Sequence, residues 1–203
     1  MSMLRCIPLA CAASAVVAAG CTATAPRESA LHIHPAWEAS MSAGLGAAEI
    51  GDIAAAAGHY RLALDLVHRE RLPSEEHAFS AYHLGDLMQR HPAAVPEDGG
   101  ETALALLEEA RACFAKTYGP DHPVLLPVLA RLAQIRESAG DAEGAAAARD
   151  TADRIAARFF PETHFLRERF GAARPSQIVH PLEILALLAD EDAQLERMVR
   201  SPD

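Results

Sequence analysis

The sequence predicts an all-α protein, a solenoid of stacked antiparallel helix pairs closed by capping helices at its C-terminal end. Three observations carry that expectation: an apolar half built largely from alanine, apolar positions at helical spacing, and small residues that recur at fixed intervals. Of 203 residues 50% are hydrophobic but only 5% aromatic, and more than forty are Ala against six Phe. Alanine is the best helix former and lets helices approach closely, whereas a sheet sandwich draws on Val, Ile, Tyr and Thr. An all-β fold is excluded on that ground. The formal charge is −10 and Lys116 is the single lysine. No nucleic-acid partner is expected, because neutralising phosphates takes clustered cations.

Residues 1–20 read as an export segment. Arg5 is their only charge, and Cys6 to Ala19 holds no ionised side chain, a stretch too short to span a bilayer and stay. It runs into Val17-Ala18-Ala19-Gly20-Cys21, which resembles the lipobox of bacterial lipoproteins. The resemblance implies cleavage before Cys21 and lipidation of that residue, although Ala18 stands where the family usually has Leu. An ordinary secretory signal or a signal-anchor is the alternative, and either also exports the chain. Several acyl chains, at about 0.8 kcal/mol per buried CH₂, anchor a protein far more firmly than one myristoyl chain. Thr22 replaces the Asp typical of inner-membrane retention, which implies the outer membrane with the domain facing the periplasm. Residues 21–35, small, polar and Pro-containing, then form a lipidated flexible stalk. With Cys6 and Cys11 removed and Cys21 modified, Cys113 is the thiol left, so no intrachain disulfide is expected. Beside Phe114 on an apolar helix face, Cys113 reads as a small buried hydrophobe rather than a nucleophile.

Residues 36–160 contain an internal repeat. Ile50-Gly51, followed by Gly58-His59-Tyr60 and Ala63, matches the Leu-Gly, Gly-x-Tyr and Ala pattern of the tetratricopeptide repeat, and Leu84-Gly85 lies 34 residues after Ile50-Gly51. Tyr118-Gly119-Pro120-Asp121-His122-Pro123 resembles the loop between repeats of the kinesin-light-chain type, whose period is 42. Phe160-Pro161-Glu162-Thr163-His164 follows it at an offset of 41 to 42, and Ala103 and Ala110 recur as Ala145 and Ala152, 42 apart. The resemblance implies about three helical hairpins.

The first unit runs from about Trp37 to Leu72, with one helix ending near Ala57 and the next starting at His59. The second opens at Pro73-Ser74, where Ser74 is a candidate N-cap ahead of Glu75 and Glu76. Its first helix ends near Arg90 and its second begins after Gly99-Gly100. His91 to Asp98 between them exceeds the family turn by about six residues and is either a contact loop or a tolerated insertion. The third unit starts at Asp121, turns at Ser138-Ala139-Gly140-Asp141 and continues through Ala145, Ala148, Ala152, Ile155 and Phe159. It carries Arg136 and Arg149 where the family prefers aromatics. Within each pair, Gly51, Gly85 and Ala133 are expected to face Ala63, Ala103 and Ala145 at the closest helix crossing, with Leu64, Leu66, Val67, Leu104, Leu107, Phe114, Ile155 and Phe159 filling the gaps. Residues 161–203 supply the caps: a short charged helix over 163–171 and an amphipathic one from Pro181 to Arg200.

No catalytic residue is expected. The chain has no His-Glu-x-x-His, no Gly-x-Ser-x-Gly, no phosphate loop and no Gly-x-Gly-x-x-Gly, and nothing calls for a cofactor. His77 and His83 are six residues apart, a spacing that does not put both imidazoles on one helix face, so no metal ligands are assigned. The tetratricopeptide resemblance instead implies a concave groove lined by the first helix of each pair. Its register places Glu49 and Asp52 there, then Phe79, Tyr82, His83, Asp86 and Gln89, then Arg131, Gln134 and Glu137. Phe79, Tyr82 and His83 are the informative members, because solvent-facing aromatics are costly unless covered, here by a partner or by the inserted loop or the segment around Trp37. Such a groove is acidic with an aromatic patch and suits a protein or peptide partner of the cell envelope that brings apolar anchors and some positive charge. The expectation is therefore a non-enzymatic, lipid-anchored adaptor, assembly factor or pilotin-like scaffold. The alternative is a periplasmic lipoprotein that uses its ten histidines to bind a metal or another ligand.

Overall fold

In the computed structural model six helices follow one another in sequential antiparallel pairs: α1 (Pro35–Glu49) with α2 (Ile53–Glu70), α3 (Ser74–Arg90) with α4 (Ala103–Tyr118), and α5 (Leu125–Ser138) with α6 (Ala142–Phe159). The structure describes residues 34–96 and 102–160 together with His180, Pro181, Ile184 to Ala186, Leu188 and Ala189. The export segment, Cys21, the stalk up to Ile33 and the charged stretch 163–171 lie outside the described residues, while Pro35, expected as the last stalk residue, opens α1. No helix among the described residues is long and apolar enough to cross a membrane.

The first and third pairs close by the same turn. Gly51 and Gly140 both take positive φ, +81° and +80°, a conformation that costs an L residue roughly 1–2 kcal/mol. The aspartate that follows each glycine caps the next helix: Asp52 accepts from Ala55 N–H at 3.0 Å, and Asp141 from Gly144 N–H at 2.9 Å. The amide of each aspartate also donates back into the preceding helix, to Ala47 and Arg136 carbonyls at 2.9 Å. The middle pair is joined by a longer connection, described at residues 91–96 and 102. There α3 ends at His91, Val95 tucks into the core, and Thr102 caps α4 by accepting from Ala105 N–H at 3.1 Å. Burial of Val95 makes at least this part of the longer loop a structural plug.

The turn position corrects the first pair's register. Helix α1 ends at Glu49, not near Ala57, so Gly58-His59-Tyr60 lies inside α2 and Gly51 is a turn residue with nothing near its absent β-carbon. The close crossing falls instead at Gly44, where a β-carbon would stand 2.4 Å from Tyr60 Cε1. Gly85 does face Ala103, with a β-carbon position 3.2 Å from the Ala103 carbonyl and 3.0 Å from Leu107 Cγ. Ala133 and Ala145 are both buried. Two further boundaries shift. Ser74 is the first helical residue rather than the cap, and α5 starts at Leu125 rather than Asp121, which instead pairs with Arg154 and Arg158 of α6.

Leu64, Leu66, Val67, Leu107, Phe114 and Ile155 are buried in the core as the apolar spacing predicts. Leu104 and Phe159 are exposed, and Phe160 takes the interior place expected of its neighbour. Arg136 and Arg149 explain how the third pair manages without aromatics. Arg136 pairs with Glu108 of α4 and donates to the Gly144 carbonyl at 3.2 Å, while Arg149 pairs with Glu137 across α5 and α6. Their head groups bridge neighbouring helices, α5 to α4 for Arg136 and α6 to α5 for Arg149.

Candidate functional site on helix α3

Helix α3 is almost wholly enclosed, with twelve buried residues including Glu76, His83 and Asp86. An enclosed helix with this many polar groups needs partners for each of them. Neighbouring elements supply most. Trp37 Nε1–H of α1 donates to Ser80 Oγ at 2.8 Å, and Ser80 donates to the Glu76 carbonyl at 2.8 Å. Asp86 takes Arg90 Nη2 at 2.7 Å along its own helix and Arg131 Nε from α5. Gln134 Oε1 accepts from Arg131 Nη1 at 3.0 Å and from Gln89 Nε2 at 3.3 Å. Five of the predicted groove residues, Asp86, Gln89, Arg131, Gln134 and Tyr82, thus form one polar seam between α3 and α5.

The seam is not acidic. One carboxylate faces two guanidinium groups, so the negative groove expected from residue counting is neutralised where α3 meets α5. Glu49, Asp52 and Glu137 stand apart from it: Glu49 is exposed at the end of α1, Asp52 is a helix cap, and Glu137 is exposed and paired to Arg149.

The aromatics correct the expectation most sharply. Phe79, Tyr82 and His83 are buried, at 4%, 3% and 6% exposure, and none faces solvent. Phe79 points into the α3–α4 interface and meets the Phe114 ring edge-on at 5.0 Å. Its register position belongs to the pair's own core. Tyr82 and His83 are covered by a segment almost a hundred residues later: His180 lies 5.6 Å from the Tyr82 ring and 4.4 Å from the His83 ring, and the two imidazole Nε2 atoms are 2.8 Å apart. Tyr60 flanks His83 from α2, ring to ring at 5.0 Å. Helical residues follow, with Ile184 N–H donating to the His180 carbonyl at 3.2 Å, Ile184 fully buried, and Leu185 and Leu188 packed on the core. Among the described residues the ring that lies against both Tyr82 and His83 is that of His180, not that of Trp37.

Burial governs the titration of this cluster. It pushes His180 down to about 4 and His83 well below the ordinary imidazole range, His180 and then Arg90 adding to the effect on His83. Burial, then Asp86, pushes the Tyr60 hydroxyl up to about 12, and the same two causes raise Tyr82. Near neutrality both imidazoles are uncharged, so one Nε2–H donates to the other ring's lone pair.

A second histidine group occupies another side of α3. His68 in the last turn of α2, His77 near the start of α3 and Glu109 of α4 bring one ligand atom each to within 4.8 Å of one another. Reading α3 alone misses this group, since its members come from three helices. The signal would have been pairing His68 with His77 across the tight α2–α3 turn. Cys113 is half-buried, and burial, then Glu109, raises its thiol, which fits an inert packing residue. No protein-family model, no curated protein and no solved structure matches the chain.

Proposed function

We propose that the chain is a non-enzymatic, lipid-anchored adaptor of the cell envelope, built on tetratricopeptide-like helix pairs, whose α3 face binds an amphipathic helix. The observation that supports this reading is the occupancy of that face. The His180 ring lies against Tyr82 and His83, two of the residues that the tetratricopeptide-like register assigns to partner contact, and Ile184, one turn further on, is buried in the core. A surface that accepts this helix accepts another bringing the same chemistry, one apolar anchor and one neutral donor–acceptor ring against Tyr82 and His83. The resident segment then competes with the partner, an intramolecular occupant present at high effective concentration.

The anchor and the groove are tested separately. Cys21→Ser is expected to release the protein from membranes into a soluble exported fraction, and unchanged membrane association removes the anchor from the proposal. For the groove, a peptide spanning residues 176–200 is added to the full chain carrying Ile184→Asp. Saturable binding that is lost on adding Tyr82→Ala supports a helix-accepting face; absence of binding to Ile184→Asp counts against it.

A further inference from the structure

We propose that His68, His77 and Glu109 form a binding site for one divalent cation of the zinc type, joining the first helix pair to the second. The inference is independent of the adaptor reading. Its members sit on three different helices, α2, α3 and α4, and converge because the short 71–73 connection folds the last turn of α2 against the first turns of α3 while α4 packs alongside.

Two imidazoles and one carboxylate are a donor set that suits Zn²⁺ and its borderline neighbours, whereas calcium and magnesium call for oxygen-rich cages. The geometry agrees. The His77 Nε2 atom lies 2.9 Å from Glu109 Oε1, and the His68 and His77 rings meet edge to face at 4.9 Å. Two donors on one tetrahedral zinc, each about 2.0–2.1 Å from it, stand about 3.3 Å apart. For a tetrahedral cation to sit among these groups the His77–Glu109 edge opens by about 0.4 Å and the widest edge, at most 4.8 Å, closes by up to about 1.5 Å, movements within the reach of an exposed His68 side chain.

His77 Nε2 is shielded from solvent with Glu109 Oε1 2.9 Å away, so the imidazole and the carboxylate meet in one small enclosed volume. A cation between the two would serve both the imidazole lone pair and the carboxylate. His68 is exposed, which leaves an entry path and a fourth position for water.

The full chain, stripped with a chelator and titrated with zinc alone by calorimetry, tests the proposal. Binding of one zinc per chain at micromolar concentration is expected, weakened at least roughly tenfold by His68→Ala and by Glu109→Gln. His68 is exposed and its replacement leaves the fold intact, so circular dichroism of that variant guards against loss through misfolding. His83→Ala and the double variant His32→Ala/His34→Ala are expected to bind as the parent does. Absence of zinc binding overturns the proposal. So does binding that survives both site variants or disappears with His32 and His34.

Discussion

Helix α3 carries two histidines six residues apart, and the two sides of the helix have made opposite uses of them. At 100° per residue they point about 240° apart. His83 is sealed beneath His180 and between two tyrosines, with no carboxylate in contact with its ring among the described residues. His77 is half-buried beside an exposed imidazole and a carboxylate. The same side chain on the same helix is a packing group on one side and a candidate ligand on the other. The difference lies in what the neighbouring helices bring.

The largest expected effect comes from forcing the closed side open. Ile184→Asp puts a carboxylate at a fully buried apolar position, at a cost of about 3 kcal/mol or more unless the segment leaves. Detachment of 180–189 is the expected outcome, with loss of hydrogen-exchange protection at the Ile184 amide while the helical circular dichroism of α1–α6 is kept. Retained protection would show that this contact does not hold the segment.

Acid acts on the same contact with a comparable but smaller effect. Both folded-state imidazoles titrate below their unfolded value of 6.5, so between that pH and about 4 the unfolded chain binds more protons. The stability they contribute is complete above pH 6.5 and falls as the pH drops through this window. For His180 the loss is on the order of 3 kcal/mol by the bottom of the window. Among the described residues the groups facing the pair are Tyr60, Tyr82 and Arg90, with Asp86 acting on both tyrosines. Thermal midpoints at pH 7 and pH 5 measure the loss, and His83→Phe is expected to flatten the dependence.

Truncation sharpens the contrast at intermediate size. His83→Ala empties a buried site and is expected to destabilise the metal-free chain by about 2 kcal/mol, against about 1 kcal/mol or less for His77→Ala. Urea midpoints read both, and equal losses would erase the distinction between the two sides. The smallest effect belongs to His68→Ala, within about 0.5 kcal/mol in the absence of metal, because its side chain is exposed.

Much of the fold was legible because it is written locally. The Ala139-Gly140-Asp141 turn, the boundaries of α3, and the Gly85–Ala103 crossing follow from residues whose conformational or steric roles are self-contained. The first pair misled for a local reason too. Ile50-Gly51 has the form of a helix-crossing pair but serves as a turn, and only the Tyr60 ring against Gly44 reveals where the crossing is. The candidate sites were less legible. Phe79 and Tyr82 are three residues apart and look alike in sequence, yet one enters the α3–α4 core while the other lies under His180.

By itself the sequence determined the helical class, the number of helices in 36–160 and the Gly140 turn, because propensity, periodicity and positive φ act over a few residues. Tertiary structure alone decided that the aromatic face of α3 is covered, that Asp86 is neutralised by an arginine from α5, and that His68, His77 and Glu109 meet. Those facts depend on which surfaces close over one another, and no periodicity along the chain records a contact made across almost a hundred residues.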